Sequence, residues 1–113
     1  MRTADYVDAP RHSGYRGVHV ILTHDERTIE VQLRTTRMHN WAITVERLGS
    51  RLGVDMKSGF GPPELLDLFR VGSDADNFLD HGQTVPSDIQ AAVAAARDRA
   101  LTFLGNLREG ESQ

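Results

Sequence analysis

Glu30, Gln32 and Arg34 stand at alternate positions in the run Glu30-Val31-Gln32-Leu33-Arg34-Thr35, separated by Val31 and Leu33. In a strand successive side chains point to opposite faces, so the three polar groups share one face while Ile29, Val31 and Leu33 share the other. A carboxylate on such a face can serve as a base or a metal ligand. A guanidinium beside it matches the oxygen geometry of phosphate. A solvated strand glutamate is the commoner fate of this residue type, and an Arg34–Glu30 ion pair is as good a reading of Arg34 as ligand contact.

The elements that must position these groups are legible upstream. Tyr15-Arg16-Gly17-Val18-His19-Val20-Ile21-Leu22 alternates in the same way, with Val18, Val20 and Leu22 apolar and Tyr15, Gly17 and His19 opposite them. The polar stretch Thr23 to Thr28 suits a tight reversal. A turn centred between Asp25 and Glu26 pairs His19 with Gln32, Ile21 with Glu30 and Gly17 with Arg34. This register gathers both apolar sets on a core face, whereas a one-residue slip mixes them. Tyr15, His19, Glu30, Gln32 and Arg34 are therefore expected on one surface.

These residues, in this order, resemble a known family. Asp5-Tyr6, Pro10-Arg11, Gly14-Tyr15-Arg16, His19, the Glu30 to Thr35 run, Met38-His39 and Ala42 are similar to the synthetase domain of RelA/SpoT-type alarmone synthetases. Those enzymes are nucleotidyltransferase-like and move pyrophosphate from ATP to the 3′-hydroxyl of GDP or GTP. The resemblance covers roughly the first half of the chain, and ordered spacing makes it more specific than any one short match. It implies that Tyr15 stacks on guanine, with Ala42 near the guanine edge. It implies that Glu30 orients or deprotonates the acceptor hydroxyl and binds Mg²⁺. Gln32 and His19 would position ribose or phosphate, and Arg2, Arg11 and Arg16 would supply charge around the nucleotide. Arg34 is a further candidate contact by its place on the same face, and His39, near the strand end on the following helix, reads equally well as a phosphate contact or as a hydrogen-bonded structural histidine.

Departures from the family pattern narrow this reading. Ser13 precedes Gly14-Tyr15 where many relatives have asparagine, and Ala4 stands where many have lysine. Ser13 keeps a place in the expected guanine contact, with one fewer amide donor. The family's ATP-binding basic segment and its magnesium-binding aspartate lie upstream of the resemblance and are not found in these residues. Phosphoryl-type transfer needs both substrates positioned and their charge neutralised. No second carboxylate stands on the expected site face, and there is no Walker-type glycine-rich loop. The chain is thus expected to be the acceptor-nucleotide half of a synthetase, using ATP only if the donor half is supplied, and inactive alone. A nucleotide-binding regulator without transfer activity, or a gene fragment, are the alternatives.

Composition sets the limits. A chain of 113 residues with 39% hydrophobic content suffices for one small core. The absence of cysteine excludes disulfides and thiolate metal sites. No apolar run approaches the ~20 residues of a membrane helix, so no membrane association and a cytoplasmic location are expected. A net charge of −3 argues against general DNA binding.

Downstream, Met38, Trp41, Ala42, Val45, Leu48 and Leu52 recur at helical spacing and predict a helix packed on the sheet and ended by Gly53. Pro62-Pro63 opens a second helix along Leu65, Leu68, Phe69, Ala75 and Leu79, with Gly72 a break or bend and His81-Gly82 its end. Ser87 with Gln90 resembles a capping box for a third helix through Ile89, Val93, Ala96, Ala100, Phe103 and Leu107; the tail from Glu109 is expected to fray. The expected fold is α/β in the α+β sense: a short antiparallel hairpin sheet with about three helices, divided into an acceptor-nucleotide half at 1–61 and a helical extension at 62–113. Because half the family's sheet is not in these residues, apolar surface is expected to lie open, for a second copy of the chain or a complementing chain to cover. His24-Asp25 is a turn pair and not a metal site.

Overall fold

The computed structural model describes residues 1–111, with side chains through Arg108. The two strands read from the alternation are β2 (Val18–His24) and β3 (Arg27–Leu33), in the expected register: His19 opposes Gln32 and Ile21 opposes Glu30. Asp25 and Glu26 both have positive φ, 49° and 62°. Two consecutive left-handed residues give the two-residue hairpin turn whose twist matches the flanking strands.

A third strand, β1 (Arg2–Asp5), pairs antiparallel with β2 and makes the sheet order β1-β2-β3. Arg2-Thr3-Ala4-Asp5 has no apolar alternation, so the free ladder edge of β2, more than local propensity, makes it a strand. Its register places Arg2 opposite Ile21 and Ala4 opposite His19. Arg2 therefore stands on the same face as His19, Glu30 and Gln32.

Thr35 caps α1 (Thr36–Leu52), its hydroxyl accepting from the Met38 N–H at 3.1 Å, and Gly53 ends the helix in the left-handed conformation. A 3-10 turn follows at Met56–Ser58, then α2 (Pro63–Asp80) and α3 (Ser87–Glu111). The core gathers Val45, Met56, Leu65 and Ala100, with Trp41, Leu48, Phe69 and Phe103 against them. Ala96 and Ala100 are buried on α3, where small side chains let it lie close to α2.

Several expectations are corrected. Gly72 does not break the element, because α2 is continuous from 63 to 80. Helix α3 runs to Glu111, past the point where a frayed tail was expected. The Gln90 amide donates to the Val85 carbonyl at 2.8 Å instead of closing a box with Ser87. Helix α1 packs on α2 and the 3-10 turn and not on the sheet. The apolar face of the hairpin is accordingly not core: Leu22, Ile29, Val31 and Leu33 are all exposed, Leu33 by 56%. Open apolar surface was expected, and it lies on this face.

The sheet is tied to the helices through the loop before β2. Gly14 has φ +97°, and a Cβ there would lie 3.0 Å from the Arg70 Cα and 3.1 Å from the Ser73 Cβ. Glycine is required both for that backbone conformation and for the close approach to α2. Ser73 donates to the Gly14 carbonyl, which fixes the contact.

Candidate functional site

The polar face of the sheet carries a line of hydrogen-bonded groups. The Tyr15 hydroxyl lies 2.7 Å from His19 Nε2, and His19 Nδ1 lies 3.0 Å from Glu30 Oε1. A carboxylate accepts from Nδ1–H, which leaves Nε2 to accept from the phenol; the bonding partners thus select the Nδ1–H tautomer. Gln32 Nε2 donates to the same Glu30 oxygen at 3.4 Å. Both contacts fall on Oε1, so Oε2 is left for an incoming group.

Around this line the aromatic rings of Tyr6, Tyr15 and His19 meet edge to face, with centroids 5.2 to 6.0 Å apart. Trp41 approaches Tyr15 from α1 and anchors its indole N–H on the Phe69 carbonyl at 2.8 Å. Two cations lie against the rings: Arg11 Cζ is 4.8 Å from the Tyr6 centroid and 5.8 Å from that of Tyr15, and Lys57 Nζ is 4.8 Å from that of Tyr15. Cations at such distances are attracted by the ring quadrupole.

The residues singled out from the sequence divide into three sets. Glu30, Gln32, His19, Arg2 and the exposed Arg11 lie on or beside the polar face. Arg34 is not the partner of Glu30; it meets His39 Nδ1 at 2.9 Å across the start of α1, with Arg34 half-buried and His39 exposed. Tyr15, Ser13, Arg16 and Ala42 are buried. Tyr15 is 1% exposed, so a base reaches its ring only when a covering side chain moves. Ser13 donates to the Lys57 carbonyl at 2.6 Å and accepts from the Tyr15 N–H at 3.3 Å. Ala42 is fully enclosed in α1. Arg16 spends its guanidinium on Ser73 Oγ at 3.1 Å, the Val7 carbonyl and Asp74 Oδ1 at 2.9 Å. Those bonds commit it to joining the loop to α2.

Sequence reasoning missed Lys57, Ser73, Asp74 and Asp80, whose partners lie 43 to 59 residues away for all but the Lys57 ring contact and its ion pair. Asp80 accepts from the Thr35 hydroxyl and from Arg37, so the last residue of the Glu30 to Thr35 run is a helix cap tied to α2. Burial pushes the Asp80 carboxyl up, but the Thr35 hydrogen bond, the bond and charge of Arg37 and the charge of His81 outweigh it and hold the group below its ordinary value. Asp76, one turn earlier, is pushed up by burial and by the Asp80 charge, against a smaller opposing effect of Arg37.

Among the described residues no group of three or more His, Cys, Asp or Glu gathers to hold a metal. His24 and Asp25 pair at 3.4 Å at the exposed hairpin turn. No helix among the described residues is long and apolar enough to cross a membrane.

A carboxylate, an imidazole and a phenol in one line, with arginines beside them, can hold a hydroxyl in place, exchange its proton and offset neighbouring negative charge. The fold that carries them is a small mixed α+β unit with a three-stranded antiparallel sheet. Residues 1–47 match the family model described as a region found in RelA / SpoT proteins. The match is confined to that N-terminal segment, and it spans every site residue singled out from the sequence. No curated protein matches the chain.

Proposed function

We propose that residues 1–61 form the acceptor-nucleotide half of a RelA/SpoT-like synthetase site, with 62–113 as its helical extension. The observation that carries this reading is that the family match at 1–47 contains the whole polar face, Arg2 to Gln32, together with the Tyr15–His19–Glu30 line. In this reading GDP or GTP binds with its guanine against Tyr15 and its phosphates toward Arg2, Arg11, Arg34 and His39. Glu30 Oε2 orients the 3′-hydroxyl and accepts its proton, while His19 and Gln32 hold Oε1. A single carboxylate suits Mg²⁺ at a nucleotide, where one or two carboxylates act with phosphate oxygens; Glu30 would hold it, and the ion would neutralise phosphate charge.

Transfer of pyrophosphate from ATP requires a donor half, which this reading assigns to polypeptide covering the open apolar face of Leu22, Ile29, Val31 and Leu33. The alternative, a guanine-nucleotide-binding regulator, uses the same face without transfer. A cytoplasmic location goes with either.

Calorimetric titration of the chain with GDP in magnesium buffer tests the proposal. Binding in the micromolar range, about −8 kcal/mol, that weakens at least tenfold in Arg11→Ala is expected. No heat from folded protein would overturn it. Separately, the chain incubated with ATP and GTP should form no pentaphosphate product above a Glu30→Gln control.

A further inference from the structure

Lys57 lies outside the family match, yet its ammonium rests on the central ring of the site. Its backbone is held on several sides. Met56, its neighbour, is 1% exposed in the core. Asp55 caps the turn through the Ser58 N–H at 3.3 Å and hydroxyl at 2.7 Å. Ser13 donates to the Lys57 carbonyl at 2.6 Å, and the Gly59 N–H donates to the Met56 carbonyl at 2.9 Å. The side chain is free of such anchoring: it is 31% exposed, and its ammonium meets Glu46 at 3.0 Å as well as the Tyr15 ring.

We infer that Lys57 is a specificity-determining residue that makes the site select phosphorylated nucleosides over bare ones. This inference rests on the reading of Tyr15 as the base platform. An ammonium 4.8 Å from the ring centroid occupies the space a stacked purine needs, so base and cation compete for that face. A nucleoside must displace the cation and leave it only Glu46, itself half exposed. A nucleotide displaces the same cation but brings phosphate oxygens to accept from it. The flexible four-carbon stem allows that exchange without movement of the pinned backbone.

Calorimetry with guanosine and with GDP, on wild type, Lys57→Met and Lys57→Arg, tests this. Wild type should prefer GDP. In Lys57→Met, GDP should bind about tenfold more weakly, the loss of one charge-assisted hydrogen bond. Guanosine should bind about two- to fivefold more tightly as the competing cation is removed. Lys57→Arg should keep the preference within about twofold. An unchanged GDP-to-guanosine ratio in Lys57→Met, or equal binding of the two by wild type, would overturn the role of Lys57 and leave the acceptor-site reading standing. Failure of both ligands to bind either wild type or Lys57→Met would overturn both. Thermal melts confirm that each variant is folded, and Lys57→Gln provides a second neutral variant should Lys57→Met unfold.

Discussion

The Thr35 hydroxyl donates to the Asp80 carboxylate at 2.6 Å, joining the cap of α1 to the last residue of α2. Arg37 adds a bond to the other oxygen at 2.9 Å, and the Asp80 side chain is only 7% exposed. Asp80→Asn should therefore cost about 1–3 kcal/mol in urea unfolding at pH 7. The sign of its pH dependence follows from a carboxyl held below its ordinary value of 3.8. Its stabilisation is present above that value and is lost as pH falls through the lower folded-state value. Wild type and Asp80→Asn should thus converge in stability on acidification.

Asp76 has the opposite sign. Because its carboxyl is raised above 3.8 in the fold, the folded state is favoured with Asp76 protonated and loses that advantage as pH rises through the raised value. Asp76→Asn should melt at a higher temperature than wild type at pH 7, with the gain disappearing below pH 3.8. Thermal melts at the two pH extremes check this.

The Glu30 contact should select the tautomer of His19 more than it stabilises the fold. Neutral His19 is expected to carry its proton on Nδ1, visible in long-range ¹⁵N–¹H spectra. Glu30→Gln should populate the other tautomer while changing stability by under about 1 kcal/mol, since Glu30 is half exposed. An Nε2–H signal in neutral wild type would remove the Tyr15–His19–Glu30 line as drawn.

Arg16 is expected to behave as a structural residue. Arg16→Lys keeps the charge but loses the fork that reaches Ser73, Val7 and Asp74 together, and should cost about 2 kcal/mol or more. Under conditions where the variant remains folded, its GDP affinity should stay within about twofold of wild type. A large affinity loss without a stability loss would return Arg16 to the phosphate contacts.

The open sheet face should report itself through association. Ile29→Thr with Val31→Thr removes two exposed aliphatics from β3 without emptying a core position. The pair should reduce binding of a hydrophobic dye and any concentration-dependent sedimentation, at a stability change of about 0.5 kcal/mol or less per site.

What the amino-acid order determined by itself was local. The two-residue period through Val18 to Leu22 and Ile29 to Leu33, with a short polar turn between, sets the hairpin and its register. The three- and four-residue spacing from Met38 to Leu52, opened by Thr35 and closed by Gly53, sets α1. Both signals rest on side-chain direction over neighbouring residues, which the chain carries wherever it goes. Tertiary structure decided what those faces meet. The apolar face of β3 reads as core by period alone, yet no helix among the described residues lies against it. Strand β1 exists because β2 offers an unpaired edge. Tyr15 became buried, Arg16 a tie to α2, and Lys57 a cover for the ring, because the Gly14 loop and the 3-10 turn approach from distant parts of the chain. Such partners are chosen by distance in space, and the pattern of residues along the chain carries no record of them.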